Sequence, residues 1–436
     1  GAAVIRQNLE EPHTVDLPAS DTSVFITDMP VVREDSTGCE QTLQKEFRVA
    51  MLLPSYLANN SPASAPDSSM VKDSEGRYKY KDGRYWIHPH SANALEFYEG
   101  ALLAVDSLKK LGLNVSIHLY DTMHDPEKMQ QILNSPVMGT MDLLIGPFYT
   151  ELINQTSLFA QQNRIYYVSP TSINAASLKN NPYLIQVNSG DINVVNPVVD
   201  YIAGQENIHV TLIGNRSESD QSLFQAYCNK LRTVIPDSSL NIHSFRIDSL
   251  LQPNRYLKKA KLNAVIIPSN NEAFVNILTT QLNNAAHSHN INLYGLTSWT
   301  KFVNIDSEYF HKLELRYAAS FYVDYNRPDV QRFLQQFRKY YCTEPTMLTG
   351  RGSLSNHAFQ YSFLGYDVMF YFASAMARYG KEFGYCIPRF HLPLLQSDFH
   401  FIKVDPFSGY INTHLDIFRY TKDYTIVKED RQAMDD

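Results

Sequence analysis

From Ala92 to Ser172 the chain alternates helical and strand patterns without a break, and nothing else in it restricts the fold so strongly. ANALEFYEGALLAVDSLKKLG reads as a helix ending at Gly112, with NVSIHLYDT as the strand behind it. The polar helix from Asp125 (DPEKMQQIL) precedes the apolar strand DLLIGP, and TELINQTSLFAQQN precedes IYYVSPTS. Alternation of this length forces right-handed crossovers and a parallel sheet. Ligands on such sheets gather at the carboxyl ends of the strands. Here those ends are Asp121-Thr122, Gly146 to Thr150, and Ser169 to Ser172.

A second alternating run covers about Ile192 to Trp299, with the helices INVVNPVVDYIAG, SDQSLFQAYCNKLRTVI, RYLKKAKL and EAFVNILTTQLNNAAHSH set between apolar strands. At 436 residues, two lobes are expected. The core opens at Phe47 to Pro54. Residues 1–45, rich in Pro, Ser, Thr, Asp and Glu, read as a linker or surface arm. A polar insertion over residues 55–90 follows the first strand and should lie near the mouth of a cleft. Its Trp86 and His88 are candidates to face that cleft, or to sit on an exposed hairpin. The tail alternates apolar and polar residues around Pro406 to Gly409, as antiparallel strands do. The expected division is lobe one over 46–188 and 325–436, lobe two over 189–300, and a hinge return over 301–324.

Several function classes are excluded or disfavoured. A net charge of −7 with no long basic run argues against nucleic-acid binding. No run of eighteen apolar residues is present to span a membrane. The opening GAAVIRQN reads as a trimmed start, so the missing targeting signal says nothing about address. Of four cysteines, none forms a C-x-x-C pair. Cys342 and Cys386 either pair in an oxidising compartment or stay as separate thiols. Nucleophile-elbow, H-E-x-x-H and Walker patterns are missing, and the glycines at Gly350 and Gly352 read as a loop. The fourteen histidines form no cluster in sequence, and His88 with His90 makes a weak metal candidate. His124 to Glu127 reads as a helix start, with Asp125 as cap and Pro126 at the first position. The expectation is a non-enzyme with no cofactor and no metal.

Binding fits better. Thr150 opens a helix beside Tyr149, and Ser169, Thr171 and Ser172 mark the next strand-to-helix turn. Helix N-termini expose N–H groups and carry partial positive charge, so two of them side by side suit a carboxylate. Each hydroxyl read alone is as well explained as a helix cap. From lobe two, Asn215, Asn271 and Trp299 are the candidates to close on a ligand.

At these residues the chain resembles the type I periplasmic binding protein superfamily, its branched-chain amino-acid-binding branch in particular. The likeness rests on Gly100-Ala101 with AVDSL behind it, Tyr120-Asp121-Thr122 with Asp125-Pro126, Ile145-Gly146-Pro147, Val168 to Ser172, and the helix from Gly365. It covers about residues 46–400. The resemblance implies an α/β fold of two Rossmann-like lobes joined by a three-strand hinge, closing over a ligand. It places the crossings near Gln186 to Gly190, Ser298 to Asn304, and Tyr322 to Asn326. It assigns the ligand's α-carboxylate to Thr150 and backbone contacts to Thr171. Ile173 stands where relatives often carry a hydroxyl, with Ser172 as the substitute. The implied role is an extracytoplasmic receptor for a small polar ligand, an amino acid or a peptide-like cell-wall fragment, in ABC transport. The implied address is the periplasm or cell envelope, secreted, with or without a lipid anchor. In some bacterial relatives the domain follows peptidoglycan-binding LysM repeats, and the linker-like start suits that arrangement. The alternative is a ligand-free regulatory or structural envelope module. It would bind peptidoglycan or a protein partner through Tyr78, Tyr80, Tyr85 and Trp86.

Overall fold

The computed structural model describes Cys39 and residues 46–60, 87–171, 175–189, 191–246, 252–345 and 360–429. The arm other than Cys39, the insertion aromatics Tyr78, Tyr80, Tyr85 and Trp86, and Ser172, Ile173, Gly350 and Gly352 lie outside the described residues.

Lobe one begins with β1 (Glu46–Leu53), α1 (Ala92–Lys110), β2 (Asn114–Asp121), α2 (Pro126–Leu133) and β3 (Leu143–Ile145). It continues through α3 (Thr150–Asn163), β4 (Tyr166–Ser169), the single turn α4 (Ala175–Leu178) and β5 (Leu184–Gln186). Lobe two runs α5 (Val195–Ala203), β6 (Ile208–Asn215), α6 (Glu218–Val234), β7 (Leu240–Phe245) and β8 (Leu262–Ile266). It then adds α7 (Glu272–Ala285), β9 (Asn290–Tyr294), α8 (Ser307–Lys312) and β10 (Arg316–Ala319). The chain returns to lobe one with α9 (Pro328–Tyr341), α10 (Tyr361–Tyr379), β11 (Phe401–Lys403) and β12 (Tyr410–Asn412). It ends in lobe two with β13 (Asp416–Tyr420) and β14 (Ile426–Glu429).

The two sheets have the same plan. Lobe one orders its strands β2-β1-β3-β4-β5-β12-β11, and lobe two β7-β6-β8-β9-β10-β13-β14. In each, the first five strands are parallel, and the order reverses at β1/β3 or at β6/β8. Such reversals send successive helices to opposite faces and open a crevice at the strand ends. Buried Val, Ile and Leu in β3, β6 and β8 show why these strands read as apolar runs: they are covered on both faces. α1 and α10 cover one face of the first sheet, and α2 and α3 cover the other. Asp125 caps α2 as its sequence predicts, accepting from Glu127 N at 2.8 Å with Pro126 at the first turn.

Three features differ from the sequence reading. The tail does not all return to lobe one. β11 and β12 do, but β13 and β14 extend the second sheet, with β13 antiparallel to β10. Lobe two also reaches past residue 300 to β10. The crossings therefore fall at Val187 to Ser189, after Ala319, and at Thr413 to Leu415, whereas Ser298 to Asn304 stays inside lobe two. The alternation of the tail is the same whichever sheet receives it, so the switch at Thr413 leaves no mark in the pattern. Of RYLKKAKL only Arg255 and Tyr256 are helical, at the end of the 3-10 turn Pro253–Tyr256, and Asn263 fastens the backbone of Lys258 and Lys261 into a tight return to β8.

The third difference concerns sulfur. Cys386 pairs with Cys39, at a Cα–Cα distance of 5.8 Å, while Cys342 is an exposed free thiol and Cys228 a buried one. The bond ties Cys39, ahead of β1, to the 3-10 turns that follow α10, across 347 residues. Cys39→Ser is expected to lower stability by about 2–4 kcal/mol, read from urea midpoints under oxidising conditions. Peptide mapping of the oxidised protein should recover a Cys39–Cys386 linked peptide; a Cys342–Cys386 peptide would overturn the pairing.

Candidate functional site at the interlobe cleft

The three crossings converge on a cavity of about 260 Å³ between the lobes. The first contributes Asn188 and Ser189, the second Ser320 and Phe321, and the third Leu415. Lobe one adds Thr171 and Tyr361, and lobe two adds Val194, Thr297, Ser298 and Lys301. Five of these side chains carry hydroxyls at Ser or Thr. Lys301 is the one charge among the lining residues, and no carboxylate is among them.

Local chemistry fixes these groups. Thr297 Oγ1 donates to Ala318 O at 2.7 Å, which docks the turn after β9 onto the end of β10. Ser298 donates to the Asn270 side chain. Ser189 Oγ donates to Asn412 O at 2.7 Å, joining the first crossing to the third. Thr171 Oγ1 donates to Phe148 O at 3.3 Å, and the Phe148 ring lies 5.6 Å from that of Tyr361. The Gly146 turn that carries Phe148 needs glycine. Its φ is +90°, and a Cβ there would stand 2.3 Å from Leu52 O.

A second group lies at the ends of β1, β2 and β3. Asp121 accepts from the N–H groups of Tyr56 (3.0 Å) and Leu57 (2.8 Å), so this strand-end carboxylate orders the start of the insertion. Tyr56 stacks on His88 at 4.5 Å, and Tyr149 stacks on His124 at 3.6 Å. Burial, then the charge of His90, holds His88 below its ordinary pKa. Burial raises the Tyr149 phenol, with further contributions from Tyr56 and Glu151.

Among the candidates from sequence, Thr171 lines the cavity. Ser169 is fully buried behind it, donating to Thr171 O at 3.2 Å. Tyr149 and Thr150 belong to the strand-end group, with Tyr149 half-buried and Thr150 exposed at the first turn of α3. Asn215 is buried at the end of β6. Asn271 is a helix cap, its side-chain oxygen accepting from Phe274 N at 3.0 Å. Trp299 is no cleft wall. Its ring is 0 % exposed, and its Nε1 donates to Ser269 O at 2.9 Å in the lobe-two core. Asn188, Ser189, Ser298, Lys301, Ser320 and Tyr361 line the cavity as well, none of them marked by a motif. The signal for Asn188 and Ser189 was the crossing itself, since a hinge strand necessarily borders the cleft.

The family model described as periplasmic binding protein matches residues 89–378. The chain belongs to this family. Solved structures agree with a type I periplasmic binding protein fold. One from Rhodospirillum rubrum, described as a branched-chain amino acid ABC transporter, superposes with a TM-score of 0.61 at 13 % identity over 88 % of this chain and all of that one. An ABC transporter substrate-binding protein from Desulfitobacterium hafniense, in complex with Leu, gives 0.52 at 14 % identity, again over 88 % of this chain and all of that one. Full-length LpoA from Haemophilus influenzae gives 0.54 at 12 % identity, over 89 % of this chain and 60 % of that one. No curated protein sequence matches. No helix among the described residues of this periplasmic binding protein is long and apolar enough to cross a membrane.

Proposed function

We propose that the chain is a non-catalytic, extracytoplasmic binding protein that closes hinge-like over a small ligand bearing a carboxylate or similar anionic group, such as an amino acid or a peptide-like cell-wall fragment. The observation that carries this reading is the cavity built on all three crossings, rich in hydroxyls and supplied with one cation, Lys301. Its volume is below the roughly 300 Å³ at which drug-sized sites begin, which suits a ligand of amino-acid or dipeptide size. The absence of an acid among the described lining residues makes an anionic group a better match than a free ammonium. Thr171 and Tyr361 supply the lobe-one side, with Ser169 holding Thr171 from behind. Ser298 and Lys301 supply the lobe-two side. Contacts to both lobes exist only in the closed state, so a ligand that makes them shifts the population to it.

The first test is a thermal-shift screen against amino acids, short peptides and peptidoglycan fragments. A ligand at a hundredfold its dissociation constant adds about 2.7 kcal/mol of stability. Lys301→Ala is then expected to weaken that ligand about tenfold or more, as loss of a charge-assisted hydrogen bond does. Unchanged affinity by calorimetry in the variant would remove Lys301 from the site.

A second reading is a structural or regulatory envelope module that binds peptidoglycan or a protein partner. It is favoured by the internal commitments of lobe two's strand-end polar groups: Asp220 with Ser269 at 2.5 Å, Asn271 with the α7 N-terminus, and Ser298 with Asn270. Silence across the whole ligand panel would select this reading.

A further inference from the structure

Histidines scattered in the sequence are brought together where the third crossing leaves lobe one. β11 and β12 pair antiparallel, with Phe401 opposite Asn412, which sets His400 and His414 side by side at the open end of the hairpin. Donor atoms of Asp398, His400 and His414 all lie within 4.8 Å of one another. The two Nδ1 atoms are 3.3 Å apart. Two imidazole nitrogens bound at about 2.0–2.1 Å to one tetrahedral ion lie about 3.3–3.4 Å apart, so the pair already has the spacing of two ligands on one metal.

The surroundings hold that arrangement. One buried side chain, Asn412, fastens the backbone of all three residues. Its Oδ1 accepts from His400 N (3.0 Å) and His414 N (3.1 Å), and its Nδ2 donates to Asp398 O at 3.3 Å. Behind the cluster, His414 Nε2 lies 3.1 Å from Asp416 Oδ2, which Lys428 Nζ also meets at 2.6 Å. A carboxylate on Nε2 fixes the tautomer that leaves the Nδ1 lone pair facing His400, the outer-sphere partner that metal-bound histidines usually have. The cluster also joins the crossings. Ser189 of the first donates to Asn412 O, and Phe321 of the second bridges to Ser397, the neighbour of Asp398.

We propose that Asp398, His400 and His414 bind a divalent transition metal of the zinc class, with solvent completing a tetrahedron, and that the bound ion braces the hinge from outside the ligand cavity. Two imidazoles and one carboxylate suit Zn²⁺ or Co²⁺ better than Ca²⁺ or Mg²⁺, which prefer all-oxygen sites.

The test uses the full chain stripped with a chelator. Titration with Co²⁺ should develop the visible absorption of a four-coordinate site and saturate at one equivalent, and Zn²⁺ should displace it. Zn²⁺ should also raise the melting temperature. His414→Ala and His400→Gln should each abolish the absorption, and Asp416→Asn should weaken the metal by about tenfold or more while leaving the spectrum four-coordinate. His88→Ala with Cys342→Ser should change nothing. No absorption in the wild-type chain, or absorption that survives the His400→Gln, His414→Ala pair, would overturn the proposal and leave a simple hydrogen bond between two rings.

Discussion

Gly365→Ala is expected to destabilise lobe one by about 3 kcal/mol, the upper part of the overpacking range. Elsewhere inside a helix the same change gains up to about 1 kcal/mol of propensity. Here α10 lies backbone to backbone on α1. A Cβ at Gly365 would stand 1.9 Å from Phe97 O, and one at Gly100 would stand 1.7 Å from Ser362 O. Each glycine packs on the residue three before the other, so the two contacts form one reciprocal crossing. The obstruction is a carbonyl on a neighbouring helix, not the tip of a mobile side chain, and relief requires the helices to separate. Separation would disturb the cluster that holds Val49, Met51, Phe97, Val368 and Phe372, all 0 % exposed. Gly100→Ala should cost a similar amount, and the double variant less than the sum, because one separation relieves both. Gly139→Ala is the control. Its nearest neighbour is Asn163 Oδ1 at 3.6 Å, and the change should stay within about 0.5 kcal/mol. An unchanged urea midpoint in Gly365→Ala would show that α1 and α10 part without cost.

The same two glycines show what was legible in the sequence. Gly100-Ala101 and the helix from Gly365 were recognisable as family marks, but their physical role, a contact between helices more than 250 residues apart, has no local signature. Local signals did predict local structure. The alternation from Ala92 to Ser172 became the parallel strands β2, β3 and β4 with the helices α1, α2 and α3 between them, and Asp125-Pro126 became a capped helix start. The candidate site was harder to read because three of its walls are crossings, where neither period nor turn chemistry is distinctive. Thr171 could be found from a strand end. Ser320, Phe321 and Leu415 could not, since only the path of the chain between lobes brings them together. Trp299 and Asn271 misled for a common reason: at a strand end, a conspicuous side chain serves packing or capping as readily as it serves a ligand. His400 and His414 are the converse, silent at a separation of fourteen residues until a hairpin pairs them.

The second large effect is expected at Asp367, two residues beyond Gly365 on α10 and fully buried. Its carboxylate accepts from Leu395 N at 2.7 Å and from Gln396 N and Ser397 N at 2.9 Å each. This one side chain fixes the segment that leads to Ser397, whose bridge to Phe321 meets the second crossing. Asp367→Ala leaves three buried N–H groups without their acceptor, and a loss of about 3 kcal/mol or more follows from one to three per orphaned group. Burial pushes the pKa of Asp367 up from 3.8 to about 7, against the pull of the three N–H groups. The folded state therefore holds a proton over a range in which the unfolded chain has released it. That contribution is complete below the unfolded pKa near 3.8 and is lost as pH rises through about 7. At 1.36 kcal/mol per pKa unit its ceiling is roughly 4 kcal/mol. Asp367→Asn cannot titrate, so the stability of the wild-type chain relative to this variant should fall between pH 4 and pH 8. Urea midpoints of both proteins at the two ends of that range measure it. A difference independent of pH would mean that the three N–H groups keep Asp367 ionised throughout, and the hinge-side segment would then be anchored by a permanent charge.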